Sequence, residues 1–317
     1  TTYTHMKIGL DIMGGDFAPE ATVLGAIEAQ KELTHNQKLV LFGDKNQALS
    51  ILSAHSINPD IFEFVHTTEV IGMGEHATKA ITQKPNSSIN VGFGYLKEGK
   101  IDSFASAGNT GAMLVGSIFS VRTISGVIRP AIPTDVPKLK GGSGVMLDVG
   151  ANADCKPDAL FQFGILGSLY AEHICKIKQP KVALINIGEE EEKGNLLSQA
   201  TFGLMKDTKS FHFVGNIEGR DLFNEKADVI VCDGFTGNIM LKLAESFYRI
   251  TLKKGFKDDF FDHLNYEQYG GSPVLGVNAP VIIGHGISNP KAIKNMIFLS
   301  KKMIETQLVD KIKEAFK

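Results

Sequence analysis

The sequence predicts an α/β fold built on a doubly wound, mostly parallel sheet, and three features carry that prediction. Short apolar, β-branched runs alternate with longer helical patterns, the rhythm of βαβ units. Several runs are apolar throughout rather than alternating, as strands covered on both faces require. Glycines gather just after the runs and just before the helical stretches, at the carboxyl ends of the strands, where sheets of this kind bind ligands.

Along the chain, KIGLDIM (7–13) leads into a helical stretch over Glu20–Leu33, and KLVLFG (38–43) and FEFVHT (62–67) supply two further strands. SFASAG (103–108) precedes a helix over Thr110–Ser120, and GVMLDVG (144–150) precedes one over Ala159–Lys176. KVALINIG (181–188) is followed by Asn195–Lys206, and FHFVGNIEG (211–219) by ADVIVCDG (227–234), which leads into Gly237–Lys254. The last strand, PVIIGHG (280–286), leads into a helix over Pro290–Phe316. In that helix Ile293, Ile297, Ile304, Leu308 and Ile312 recur every four or seven residues with lysines between them, and Ser288-Asn289-Pro290 supplies a cap and a first-turn proline.

With 317 residues, 43% of them hydrophobic, the chain can bury either one large core or two joined lobes. No repeat or low-complexity linker marks a boundary, so residues 6–317 are taken as a single domain. Thr1–His5 precede Met6 and read as an added remnant outside the fold. The net charge is −2 and no Lys/Arg run exceeds two residues, which disfavours a nucleic-acid partner. Cys155, Cys175 and Cys232 are odd in number and far apart, as reduced thiols of a cytoplasmic protein would be. No apolar stretch nears the roughly 20 residues of a membrane span.

Five glycine clusters fall at presumed strand ends: Gly14-Gly15, Gly108 with Gly111, Gly150, Gly188, and Gly234 with Gly237. Glycine there either makes a tight turn or lets backbone N–H groups at helix N-termini approach an anion such as phosphate, and five clusters on one edge favour the anion site. Nucleotide motifs fail: Gly141-Gly142-Ser143-Gly144 lacks the following G-K-[ST], and Gly92-Phe93-Gly94 lacks the third glycine of the dinucleotide fingerprint. There is no G-x-S-x-G elbow and no H-E-x-x-H, so neither a serine hydrolase nor a zinc site is expected; no metal and no cofactor is called for.

DIMGGDFAPE (11–20), SAGNTGA (106–112), RPAIP (129–133), LDVGAN (147–152), NIGEEEEKGN (186–195), GNIEGRD (215–221), VCDGFTGN (231–238) and YGG followed by HGIS (269–271, 285–288) stand in order across almost the whole chain. In this the sequence resembles the phosphate:acyl-ACP acyltransferase family of bacterial phospholipid synthesis. The resemblance implies a three-layer αβα homodimer related to phosphotransacetylase and isocitrate dehydrogenase-type folds. It also implies the reaction: a phosphate oxygen attacks the thioester of an acyl-acyl carrier protein, giving acyl phosphate and free carrier without a covalent acyl-enzyme. The implied partners are acyl carrier protein, inorganic phosphate and a downstream glycerol-3-phosphate acyltransferase. The implied place is the cytoplasm, with peripheral contact at the inner face of the cell membrane.

The matching positions make Lys193 and Asn238 the catalytic pair. A lysine neutralises phosphate or polarises the carbonyl, and an asparagine amide donates to the developing oxyanion. Each also has a blander reading, Lys193 as the cation of a solvated run after Glu189–Glu192, and Asn238 as a helix-start residue. Asn109 and Thr110 are candidates to bind phosphate, or to cap a helix. Asp11, Gly14, Gly15 and Asp16 form the first strand-end loop. Asn152 and Thr236 lie in matching loops, Asp233 either orients Lys193 or makes a structural hydrogen bond, and His285 is an acid–base candidate or a structural histidine. Cys232, inside an apolar strand with no nearby histidine, reads as an inert buried thiol rather than a nucleophile.

An acyl chain requires an apolar groove and an acidic carrier a basic patch, for which Arg122, Arg129, Lys138 and Lys140 are candidates. In the family the segment before Y-G-G is a helical hairpin used for dimer and membrane contact, so the resemblance implies a hairpin tip over 249–268. Here Lys253, Lys254 and Lys257 mix with Phe256, Phe260 and Phe261, but Asp258, Asp259 and Asp262 intrude. The alternative function is a phosphotransacetylase acting on short acyl-CoA. A non-catalytic ligand-binding protein of this fold, and a decarboxylating dehydrogenase with a metal-binding aspartate cluster, rank below it.

Overall fold

The structure, a computed structural model, describes residues 5–265 and 270–317. In chain order the elements are β1 (Met6–Asp11), α1 (Glu20–Gln30), β2 (Gln37–Gly43), α2 (Lys45–Ala54), β3 (Glu63–His66), α3 (Ala77–Gln83), α4 (Ser88–Lys97), β4 (Ser103–Ser106), α5 (Thr110–Ser120), β5 (Pro133–Pro137), β6 (Ser143–Leu147) and α6 (Pro157–His173). They continue with β7 (Lys181–Ile185), α7 (Leu196–Met205), β8 (His212–Ile217), β9 (Val229–Val231), α8 (Gly234–Lys254), α9 (Asp259–Asp262), β10 (Ser272–Pro273), β11 (Val281–Ile283), α10 (Pro290–Glu305) and α11 (Leu308–Ala315). All nine strands expected from the apolar runs form. The fold is α/β, with helices flanking mostly parallel sheets.

The chain taken as one domain packs as two compact units, and its strands make two sheets rather than one. The first unit holds residues up to 122 together with 270–307. Its six strands run β10-β11-β4-β1-β2-β3, all parallel except β10 against β11. The chain moves outward from β1 through β2 to β3, then returns to place β4 on the other side of β1. Right-handed crossovers therefore put α1 and α2 on one face and α4 on the other. Ile8, Leu10, Leu39, Leu41 and Phe42 are buried between those layers, and Phe104 meets Phe42 and Phe93 edge to face at 5.6 and 5.2 Å. The reversal between β1 and β4 is a topological switch point, where this architecture leaves a crevice outside the strand ends.

The second unit holds residues 123–265 and 308–317, with strand order β5-β6-β9-β7-β8. β6, β9, β7 and β8 are parallel, so the segments after them all leave from one edge, and β5 pairs antiparallel with β6 at the border. Val145, Leu147, Val182, Ala183, Val229 and Val231 are fully buried, which is why these strands read as unbroken apolar runs.

The terminal helix departs from expectation. Asn289 caps it through the Ala292 N–H and Pro290 takes its first position, but the helix stops at Glu305, and Gln307 turns with φ +53° before α11 begins in the second unit. The apolar spacing continues through the break because Ile304, Leu308 and Ile312 are all buried, so periodicity alone could not show it. In the segment expected as a hairpin tip, α8 runs to Lys254, closes on Gly255 in the left-handed conformation, and is followed by the single turn of α9; Tyr266–Tyr269, including the tyrosine of Y-G-G, lie outside the described residues.

Candidate active site

The site residues expected from sequence divide between the units. Asp11, Gly14, Gly15, Asp16, Asn109, Thr110 and His285 belong to the first, and Asn152, Lys193, Asp233, Thr236 and Asn238 to the second.

In the first unit the loops after β1, β4 and β11 leave from adjacent parallel strands. Asp11 is buried at the end of β1, accepting from the Ser106 hydroxyl at 2.6 Å and the Met13 N–H at 2.9 Å. Burial pushes its carboxyl above the usual range, against the donors Ser106, Ser88, Met13 and Gly14. Gly14 is required here: a Cβ would stand 2.6 Å from both the Asp11 carboxylate and the Gly108 nitrogen. The Asp16 N–H donates to the Gly286 carbonyl at 2.7 Å, tying the β1 loop to the β11 loop. Asp16, Thr110 and His285 are exposed, and His285 Nδ1 accepts from the Ile287 N–H at 3.4 Å. Asn109 is committed to structure. Its Oδ1 caps α5 through Ala112, and its Nδ2 donates to the carbonyls of Gly72, Met73 and Glu75, so phosphate at this helix start would meet backbone N–H groups rather than that amide.

In the second unit the loop after β6 is organised by Asp148, a residue the sequence reading passed over within LDVGAN. Its fully buried carboxylate accepts from the N–H groups of Ile132 (3.0 Å), Ala151 (3.1 Å) and Asn152 (2.7 Å), and from Asn152 Nδ2 (2.9 Å). Burial raises this carboxyl too, those donors working the other way. Asn152 Nδ2 donates onward to the Pro130 carbonyl at 2.8 Å, so its amide hydrogens tie RPAIP to LDVGAN. An aspartate directly after an apolar strand and before a glycine turn was the signal that could have found Asp148.

α8 seats against this loop. A Cβ on Gly237 would fall 1.9 Å from the Asp148 carbonyl oxygen, so only glycine allows the approach. Asn238, one residue on, donates through Nδ2 to the Val149 carbonyl at 3.0 Å. Asp233 caps the helix and spends both oxygens on Thr236, accepting its N–H at 2.8 Å and its hydroxyl at 2.9 Å. Of the two roles weighed for Asp233, the structure displays the hydrogen bond and not an orientation of Lys193. Cys232 is buried, its Sγ 3.4 Å from the Asp148 carbonyl, and burial pushes the thiol well above its usual range.

Lys193 lies in the loop after β7, the strand beside β9. Asn186 donates to the Lys193 carbonyl at 3.1 Å, and Asn216, from β8, donates to the Glu190 carbonyl at 2.9 Å, so two asparagines absent from the expected site hold this loop in shape. The aliphatic stem of Lys193 crosses Gly188, where a Cβ would stand 2.8 Å from its Cγ. Glu189 and Glu191 pair with Lys226 and Lys206, whereas exposed Lys193 has no ion-pair partner among the described residues. The carboxyl edge of this sheet thus presents, from neighbouring strands, an uncommitted cation and a fixed amide.

The family model described as "Fatty acid synthesis protein" matches residues 6–311. This chain belongs to that family. A relative from Dictyoglomus turgidum, named phosphate acyltransferase, is 44% identical with 98% of this chain and 97% of that one covered. One of the same name from Listeria innocua is 40% identical, covering 97% and 96%. Among solved structures, the phosphotransacetylase of Streptococcus pyogenes matches with a TM-score of 0.68 at 16% identity over 96% of this chain and 94% of that one, and the EutD phosphotransacetylase of Staphylococcus aureus with 0.65 at 15% over 95% of each. At such identities these two likenesses describe the fold, and they agree with the α/β class read from the apolar runs of this chain.

Proposed function

We propose that this protein is a phosphate acyltransferase that moves the acyl group of an acyl-acyl carrier protein onto inorganic phosphate. An oxygen of hydrogen phosphate bonds to the thioester carbonyl carbon, the carbon–sulfur bond breaks, the carrier leaves as its thiol with the proton that the phosphate gives up, and acyl phosphate remains. Lys193 counters the negative charge of phosphate and of the oxygen that gains charge in the transition state. Asn238 donates to that oxygen from an amide held in place by Val149. Phosphate is a weak nucleophile, so the rate comes from position and charge rather than from an acyl-enzyme. The observation that carries this reading is the departure of the Lys193 loop and the Asn238 helix from adjacent parallel strands β7 and β9 at one sheet edge, together with the lack of an ion-pair partner for Lys193 among the described residues.

In the first unit the glycine-lined loops around Asp11, Gly14, Gly15, Asp16, Thr110 and His285 form that unit's own candidate anion-binding edge. The protein works as a cytoplasmic homodimer and hands acyl phosphate to a glycerol-3-phosphate acyltransferase. Exposed Leu243, Phe247 and Ile250 along α8 supply apolar surface for a second copy, and Phe256, 67% exposed among Lys253, Lys254 and Lys257, supports peripheral membrane contact. No described helix is long and apolar enough to cross a membrane.

The test is phosphate-dependent release of thiol from palmitoyl-acyl carrier protein, with hydroxylamine trapping of the acyl phosphate. Release that requires phosphate and yields hydroxamate is expected; release without phosphate, or none, contradicts the assignment. Faster turnover of acetyl-CoA than of the carrier thioester would favour a short-chain phosphotransacetylase.

A further inference from the structure

Large apolar side chains stand out in solvent around Lys193 and Asn238. Ile187 is 81% exposed and Leu196 is 86% exposed, among the most exposed large apolar residues described. They bracket Lys193 in sequence: the Ile187 N–H donates to Asn186 Oδ1 at 2.8 Å while Asn186 Nδ2 donates to the Lys193 carbonyl, and Leu196 opens α7 two residues past Gly194, where a Cβ would press on the same Asn186. Phe235 and Ile239, 63% and 52% exposed, bracket Asn238 on the first turns of α8, four residues apart and so on one helix face. All four follow β7 or β9 at the shared edge of one sheet.

A solitary exposed leucine carries little meaning, but four large apolar groups flanking two polar ones match the composition of a site for an amphipathic ligand, with few polar atoms set in an apolar surround. A solvated charge cluster such as Glu189–Glu192 has no use for them. The two glutamates that pair with Lys206 and Lys226 also keep their charge engaged beside the loop. We propose that Ile187, Leu196, Phe235 and Ile239 form the rail that receives the acyl chain next to the thioester, so that preference for long chains is set at this edge. The proposal rests on the phosphate acyltransferase reading and names the part of it that decides chain length.

The experiment uses the full-length protein and compares kcat/KM for palmitoyl- and acetyl-thioesters of the same carrier in phosphate. The ratio of the two is expected to fall at least tenfold in Ile187→Ser/Leu196→Ser and in Phe235→Ser. Leu204→Ser, at a residue 44% exposed farther along α7, is expected to leave the ratio within twofold of wild type. An unchanged ratio in the first two variants, or an equal fall in Leu204→Ser, overturns the rail. Should the paired variant unfold, Leu196→Ser alone, at the most exposed of these positions, carries the same expectation and the same refutation. Wild-type protein that releases thiol from neither thioester overturns the reaction and the rail together, whereas active wild type with an insensitive ratio overturns the rail alone.

Discussion

The Asn238 amide donates to the Val149 carbonyl at 3.0 Å, and this one bond joins the first turn of α8 to the loop that Asp148 organises after β6. An amide nitrogen carries two hydrogens, so fixing one fixes where the other lies. That is the property an oxyanion donor needs, and it comes from backbone geometry rather than from a flexible side chain.

Asn238→Ala is therefore expected to lose about 10²- to 10³-fold in kcat, the range seen when one oxyanion donor is removed. Asn238→Asp should lose at least as much, because a carboxylate would face the Val149 carbonyl and repel developing charge. Steady-state kinetics beside a thermal melt separate this from unfolding.

Lys193→Ala should depress kcat/KM for phosphate while leaving stability within about 0.5 kcal/mol, as for an exposed side chain away from structural features. Lys193→Arg should recover only part of the loss, since a planar guanidinium differs from a point ammonium in shape and hydration. Full activity in Lys193→Ala would return this residue to the solvated charge run.

Gly237→Ala is expected to cost about 3 kcal/mol and to abolish turnover, because its methyl would stand 1.9 Å from the Asp148 carbonyl and push α8 from its seat. Urea unfolding of the variant measures the cost; wild-type stability would mean that the helix and loop are not locked as described.

Asp228 links the amino ends of the second sheet, accepting from Lys138 and from the Lys181 N–H at 2.9 Å, with its side chain and that of Lys138 only 11% and 12% exposed. Burial alone would raise its carboxyl, but Lys138 and Lys181 hold it below 3.8. A depressed folded pKa means that the stabilisation is fully present above 3.8 and is lost as pH falls through the lower folded value. Asp228→Asn should destabilise the protein by roughly 3 kcal/mol at pH 7, leaving Lys138 buried without its partner, and the gap to wild type should narrow below pH 3.8. A gap that is constant with pH would contradict this.

Much of the fold was legible because buried parallel strands leave a plain mark: runs such as Leu39–Gly43 and Val182–Ile185 are apolar throughout, and each lies in a strand. β5 was missed because prolines at both ends and Asp135 within it are poor strand formers, tolerated only at the antiparallel border. The division into two units was hidden because Gln307 interrupts a helix whose apolar spacing does not change. At the site, the positions of Lys193 in the loop after β7 and of Asn238 at the start of α8 could be read from sequence, but the commitments of Asn109, Asn152 and Asp233 to neighbouring backbone and side chains could not. Cap, clamp and ligand contact use the same residue types, and only the third dimension distinguishes them.

The most direct test of the central claim is a double-mutant cycle on phosphate-dependent thiol release from palmitoyl-acyl carrier protein. If Lys193 and Asn238 serve one transition state, each alanine variant loses most of the rate, and the double variant falls little below the worse single one. Full activity in either single variant, or losses that simply multiply in the double, would contradict it.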